Sequence, residues 1–240
     1  MPTYLYCLRT DRVAPADGLT GVDGAVVHAV HTAGLTAWVS DVAEKVAPTV
    51  DRVRAHDAVC AAALAGGETP LPIRFGQTFP DDASVVSELA VRESTLRSRL
   101  ARIAGCVELR LVVPRGSDPP SEGSVSAASA PKMPAGARAS HGVDGPGTAF
   151  LKRLAHRDHA ELARAVGCEE IRHAVGAAAE SLIVAQQPCE SARGIAFFPV
   201  LVRRADVDAF RSAVEDTLRI KAIALSVLGP FAPYSFAGDG

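Results

Sequence analysis

At 240 residues, the chain is long for a single mixed domain and suits two modest ones. Hydrophobic residues make up 48% of it, which excludes a globally disordered chain. The net charge of -2, from 25 basic and 27 acidic residues, lacks the basic bias that favours nucleic-acid binding. No apolar run approaches the roughly 20 residues that span a bilayer, and the start is not a signal peptide. We therefore expect a cytoplasmic protein that contacts neither nucleic acid nor membrane.

The first unit, residues 1–113, is predicted to hold elements in the order β-β-β-α-β-α-β. This order suits a ferredoxin-like antiparallel sheet with helices on one face. Thr49 and Asp81 or Asp82 are predicted helix N-caps. The predicted strands are Tyr4–Leu8, Ala25–Val30, Leu35–Val39, Leu71–Phe75 and Val107–Val113, and the predicted helices follow Thr49 as far as Gly66 and run from Asp82 to Ile103.

Residues 114–147 are dominated by Pro, Gly, Ser and Ala and hold few sizeable apolar residues. Such a stretch does not bury enough surface to offset its ordering entropy, so we predict a flexible linker or exposed loop. A second, smaller α+β domain with an aromatic tail then covers residues 148–240. Its predicted elements are helices over Thr148–Val166 and Ile171–Leu182, separated at Gly167, a strand at Ile195–Val202, a helix capped by Asp206 and a strand at Ile223–Leu228. The predicted fold class is therefore α+β in two domains.

The five cysteines form no CxxC pair, and their number is odd. This argues against a disulfide framework or a structural zinc site, so the sequence favours buried free thiols in a reducing compartment. The cysteines are Cys7, Cys60, Cys106, Cys168 and Cys189.

The sequence contains no nucleotide-binding glycine loop and no nucleophile elbow, so it implies no cofactor. His156, His159 and His173 are a candidate metal group, but charged neighbours favour a solvated helix surface. His56 and Cys60, at i and i+4, are a candidate thiolate pair for a small-molecule hydrolase or thiol enzyme. Packing of both side chains against the core is the favoured alternative.

Arg74 lies in the apolar segment Leu71–Phe79, where a charge is unusual. Pairing with Glu88 or Glu93 on the next helix is the favoured interpretation, and contact with a partner is the alternative.

Two separated segments together resemble the gas vesicle protein F/L family. Arg54–Val59 followed by Leu71–Phe79 is similar to its central motif of a His-bearing helix and a Leu-Pro-x-Arg-Phe-Gly strand. Leu228–Phe236 is similar to its Gly-Pro-Trp-Pro-Pro-Tyr-Ser-Phe tail. Phe231 and Ala232 depart from that pattern, because the family usually has Trp and Pro there.

The resemblance implies a non-enzymatic protein of gas vesicle formation, located in the cytoplasm and at the vesicle. It implies a structural or assembly role, with the small hydrophobic main wall protein and other gas vesicle proteins as partners. Because aromatic side chains anchor interfaces well, two segments are candidates for the contact, with core packing as the alternative. The candidate partner-binding residues are Arg74, Phe75, Phe79, Pro230, Phe231, Pro233, Tyr234 and Phe236.

Overall fold

A computed structural model describes residues 1–32, 34–43, 46–113, 167–192, 195–221 and 225–238. The predicted linker at 114–147 and the predicted helix over Thr148–Val166, with His156 and His159, lie outside the described residues. Those that are described form an α+β protein with two antiparallel sheets, which confirms the predicted α+β class; the two-domain part of that prediction stays a prediction. Within these ranges, no helix has the length and apolar character needed to cross a membrane.

The first sheet has the strand order β2-β3-β1-β4, and β5 pairs with another part of β1. Every residue of β1 is buried, as expected of a strand with neighbours on both edges. The predicted strands at Ala25–Val30 and Leu35–Val39 are present as β2 and β3, which pair antiparallel. The strands are β1 (Thr3–Arg9), β2 (Val27–His31), β3 (Thr36–Asp41), β4 (Leu71–Pro72) and β5 (Thr78–Phe79).

Three helices accompany this sheet, α1 (Val50–Ala65), α2 (Asp82–Val91) and α3 (Glu93–Ile103). Both predicted N-caps are confirmed, since the Thr49 hydroxyl accepts from the Arg52 amide and the Asp81 carboxylate from the Ser84 amide. The prediction of one helix from Asp82 to Ile103 is wrong. The chain leaves helical geometry at Arg92, which ends α2 and precedes α3.

The second sheet has the order β10-β6-β9-β7, with β8 also paired to β9. The sequence assigned the strand at Val107–Val113 to the first sheet, and this assignment is wrong. That strand, β6, pairs with β9 over its whole length and with β10 on its other edge. The elements are β6 (Cys106–Val113), α4 (167–178), β7 (Ile183–Gln186), β8 (Glu190–Ala192), β9 (Ile195–Arg203), α5 (Val207–Lys221) and β10 (Ser226–Phe231).

Moving β6 changes where the ferredoxin-like order is found. The elements β6, α4, β7, β9, α5 and β10 follow the β-α-β-β-α-β pattern, so this order belongs to the second sheet, not to the N-terminal one. The predicted second helix is present as α4, and the residues before 167, on which the predicted separation at Gly167 depends, lie outside the described residues. Strands β7 and β8 were not predicted; β7 is short and β8 is polar, so neither has an extended apolar run.

The two sheets share buried surface. One core cluster joins Leu5 and Leu8 of β1 to Leu201 of β9 and to Phe236 near the C-terminus. Polar contacts add to this junction, since Arg204 donates to the Leu64 carbonyl and Thr69 donates to the Cys106 carbonyl. The division into domains at 113 and 148 stays a prediction.

Cys168 in α4 and Cys189 before β8 form a disulfide, 21 residues apart. The expectation that all five thiols are free is therefore wrong for this pair. The sequence did not predict this disulfide because the two cysteines are far apart in the chain and form no recognised spacing motif; the fold brings them together. Cys7, Cys60 and Cys106 are free and buried, as predicted.

Candidate functional site

His56 is the centre of a group of side chains that we call the His56 cluster. Tyr4, Tyr6, His56 and Cys60 are buried, and Phe75 and Tyr234 are half-buried against them. The cluster lies at the junction of β1, α1, the loop after β4 and the C-terminal tail. His56 is 3% exposed, and its Nδ1 lies 2.9 Å from the Tyr4 hydroxyl oxygen. The predicted pairing with Cys60 is present, because His56 Nε2 lies 3.8 Å from Cys60 Sγ. Both ring nitrogens of this buried His therefore have protein partners.

Two of the three tyrosine hydroxyls in the cluster, those of Tyr4 and Tyr6, hydrogen-bond to neighbouring segments of the chain. Tyr4 accepts from the Gly76 amide at 3.1 Å, which fixes the turn after Phe75. Tyr6 accepts from the Val22 amide at 2.9 Å and donates to Ser40 at 3.1 Å. Burial raises the pKa of both phenols, so they remain neutral donors and acceptors at neutral pH.

The thiol of Cys60 lies among hydrogen-bonding groups. It donates to the Tyr6 carbonyl at 3.5 Å, and hydrogen bonding from Cys7 and then from His56 lowers its pKa against the effect of burial. The pKa of Cys7 is raised well above its usual value by the neighbouring Cys60 thiol and by burial. Burial, followed by the proximity of Cys60, also raises the pKa of the Tyr234 phenol.

These groups resemble the parts of a thiol enzyme, but they lack access to solvent. Cys7 and Cys60 are 0% exposed, and rings from Tyr4, Phe75 and Tyr234 surround His56 with centroids 5.7 to 6.2 Å away. Because a buried thiol meets no substrate, the arrangement suits packing better than nucleophilic catalysis.

This environment predicts the reactivity of the cysteines. In the native protein without reductant, we expect negligible labelling by a thiol-specific reagent over hours. After unfolding in guanidinium, three thiols should react, and five should react when reductant precedes labelling. Mass spectrometry of the labelled protein measures the counts. Rapid native labelling of Cys60 would contradict the assignment of the cluster to packing.

The C-terminal tail, residues 232–238, is held by a buried carboxylate. Glu108 on β6 is 0% exposed and accepts from the Ser235 amide at 2.8 Å and the Ser235 hydroxyl at 3.1 Å. Arg110 donates to the same carboxylate at 2.8 Å. Gly229 enters this region with φ of +116°, and a Cβ there would lie 2.8 Å from the Glu108 carbonyl oxygen, so only glycine fits.

The predicted tail residues divide between surface and interior. Pro230 is exposed, and Phe231 is half-buried below Arg110, whose guanidinium carbon lies 5.4 Å from its ring centroid. Pro233 is buried, and Phe236 is 7% exposed in the core that both sheets share. Tyr234 packs against His56. Only the beginning of the segment thus faces solvent.

The segment around Arg74 also divides between surface and interior. Phe75 turns inward to the His56 cluster, and Phe79 is half-buried in β5. Arg74 is exposed and forms no ion pair or hydrogen bond within the described ranges. The favoured interpretation of a structural ion pair is wrong, because Glu88 pairs with Arg92 and Glu93 with Arg97, one helical turn away in each case.

Of the candidate metal group, only His173 is described. It is exposed on α4, and its Nε2 lies 3.4 Å from the Arg172 guanidinium, a cation that disfavours a bound metal ion. No group of three potential ligands occurs in the part of the chain that the structure describes.

Sequence reasoning missed two buried charges. Glu108 lies within the predicted strand Val107–Val113, but it was not singled out there. Arg9, 0% exposed, donates to Asp11 and the Ala63 carbonyl and stacks over Trp38. A charged residue inside an apolar strand is the signal that would have found both.

The fold and the site define a class: an α+β protein of two antiparallel sheets whose buried polar cluster and C-terminal tail join the sheets rather than form an open site. The model of the gas vesicle synthesis protein GvpL/GvpF family matches residues 2–238. The chain belongs to this family, and membership supports a role in gas vesicles.

Individual relatives agree with the family match. The chain is 31% identical to gas vesicle protein F of a Streptomyces species over 98% of its own length and 99% of the relative's. It is 29% identical to gas vesicle protein L2 of Halobacterium salinarum, over 98% of this chain and 91% of the relative.

Two solved structures share the fold. The crystal structure of GvpF from Anabaena sp. PCC7120 matches with a TM-score of 0.70 and 18% identity, over 100% of this chain and 99% of that one. The crystal structure of GvpF from Microcystis aeruginosa matches with a TM-score of 0.68 and 17% identity, over 99% of both chains.

Proposed function

We propose that this protein is a cytoplasmic, non-catalytic accessory protein of gas vesicle assembly that binds the small hydrophobic wall protein. The observation that carries the proposal is the family match over residues 2–238, which includes both sheets and the tail. A hydrophobic wall subunit needs partners that cover its apolar surface before it polymerises. Such a role requires a docking surface and no catalytic group.

Arg74 and a groove along the start of α2 are the best supported docking surface. A groove of about 570 Å³ runs between the end of β5 and α2, lined by Phe79, Pro80 and Val91 among others. Val91 is 84% exposed, although it is apolar. Arg74 lies on the loop before β5, so an unpaired cation and exposed apolar atoms occur on neighbouring segments. Arg side chains and apolar anchors are typical of interface centres.

The tail contributes less exposed surface to the proposed contact. Pro230 and Phe231 remain candidates because they lie at or near the surface. Pro233, Tyr234 and Phe236 face inward, so their side chains favour the alternative of core packing. The exclusion of solvent from His56 and Cys60 supports a non-catalytic protein over the alternative of a thiol enzyme or hydrolase.

Co-expression with a tagged wall protein tests the docking surface. We expect Arg74→Glu and Val91→Asp each to reduce co-purification about tenfold, because each places an uncompensated charge in a desolvated contact. Because both side chains are exposed, we expect both variants to fold, which circular dichroism checks. Arg12→Glu is the matched control, since Arg12 is also exposed and forms no ion pair among the described residues. If both variants co-purify as well as the control, this surface is not the contact.

A further inference from the structure

Helix α1 presents an apolar face to solvent as well as to the core. Toward the core it buries His56, Val59, Cys60, Ala63 and Leu64. Near its N-terminal end, Val50 is 67% exposed and Val53 is 44% exposed. Exposed alanines continue this surface at Ala58, Ala61 and Ala65. A helix on the outside of a protein usually carries mostly polar residues there. These apolar side chains are left exposed by the part of the chain that the structure describes.

Two opposite charges lie in the middle of the exposed face. Arg54 and Asp57 are both exposed, and neither forms an ion pair or hydrogen bond within the described part of the chain. The positions 50, 54, 57 and 61 follow the i, i+4, i+7, i+11 spacing of one helical stripe. From its N-terminal to its C-terminal end, the stripe therefore consists of Val, Arg, Asp and Ala.

This stripe is complementary to a second copy of itself that runs in the opposite direction. Two α1 helices packed antiparallel about a two-fold axis between positions 54 and 57 place Arg54 of each copy opposite Asp57 of the other. The same axis places Val50 opposite Ala61, a large side chain against a small one. A two-fold interface uses the same patch on both subunits, so each favourable pair occurs twice.

We propose that α1 is the interface of a homodimer, formed with a second copy of this chain through Val50, Arg54, Asp57 and Ala61. The charge order selects the second copy, because it provides both partners of two reciprocal ion pairs. One helix pair buries little area, so the dimer is weak and dependent on concentration. The contact is separate from the proposed wall-protein surface at Arg74 and Val91.

Charge reversal tests the pairing in the full chain. Arg54→Glu places a second carboxylate opposite Asp57 of the other copy, and Asp57→Arg places a second guanidinium opposite Arg54, so each single variant has like charges at both contacts. We expect each to weaken dimerisation by about tenfold or more. The double variant R54E/D57R restores opposite charges and should dimerise like the wild type. An equimolar mixture of the two single variants should form a heterodimer for the same reason.

Sedimentation velocity over a concentration series, at low and high salt, measures the association. Glu215→Arg, a charge reversal at an exposed position of α5, is the control and should dimerise normally. Circular dichroism shows whether each variant is folded. A wild-type protein that stays monomeric at every concentration overturns the proposal. So does a dimer that both single variants retain, or a loss that the double variant does not restore. Wall-protein binding by a monomeric R54E variant leaves the proposed function intact.

Discussion

Replacing Glu108 with Ala is expected to lower the free energy of unfolding by about 2–4 kcal/mol, because it removes a buried carboxylate that accepts three hydrogen bonds, one of them from the half-exposed Arg110. Glu108 is fully buried and accepts three hydrogen bonds, two from Ser235 and one from Arg110. Without the carboxylate, the Ser235 amide loses its acceptor in a partly buried position. The tail then loses its polar attachment to β6.

Urea unfolding followed by circular dichroism measures the loss, and amide hydrogen exchange at residues 232–237 reports release of the tail. Ser235→Ala is the matched control, since it removes the hydroxyl but keeps the hydrogen bond from the backbone amide of residue 235 to Glu108. We expect it to cost about 1 kcal/mol. Equal stability of Glu108→Ala and the wild type would show that the carboxylate does not hold the tail.

Glu108 also shows how far the sequence predicts this fold. The alternation of Val107–Val113 identifies a strand, and the structure confirms it. Alternation specifies which side chains share a face, but it does not specify the partner strand. The partners of β6 are β9 and β10, which lie far along the chain, beyond the predicted linker. The prediction placed this strand in the first sheet because it lies close in sequence to the strands of that sheet. In the structure it pairs instead with strands that are distant in sequence.

The candidate site was predictable to a similar extent. The sequence singled out the segments around Arg74 and Tyr234, and the structure brings Phe75 and Tyr234 to the same residue, His56. It did not predict which side chains face solvent. A Pro- and aromatic-rich end is compatible with a partner surface and with a core, because both bury apolar area. Only the positions of Glu108 and the shared core reveal that the tail points inward.

Replacing Phe236 with Ala is expected to cost about 3–5 kcal/mol, because it removes a buried aromatic ring and leaves a cavity. Phe236 packs in the core that contains Ile103 of α3 and Leu201 of β9, so the cavity would open between elements of both sheets. Phe231→Ala removes a ring of the same size that is only half-buried, and it serves as the matched control with a smaller loss. Denaturant unfolding of the wild type and the two variants measures both losses, and we expect the loss for Phe236→Ala to be the larger.

The pair Glu108→Ala and Phe236→Ala then tests whether the tail acts as one unit. Ser235, which bonds to Glu108, precedes Phe236 directly, so release at one residue weakens attachment at the other. Mutations that release the same segment are not additive, and we expect the double variant to lose about 1–3 kcal/mol less than the sum of the single losses. Additive losses would instead mean that the carboxylate and the ring stabilise separate parts of the protein. In that case Glu108 would act through Arg110 within the second sheet, and the aromatic ring alone would join the tail to both sheets.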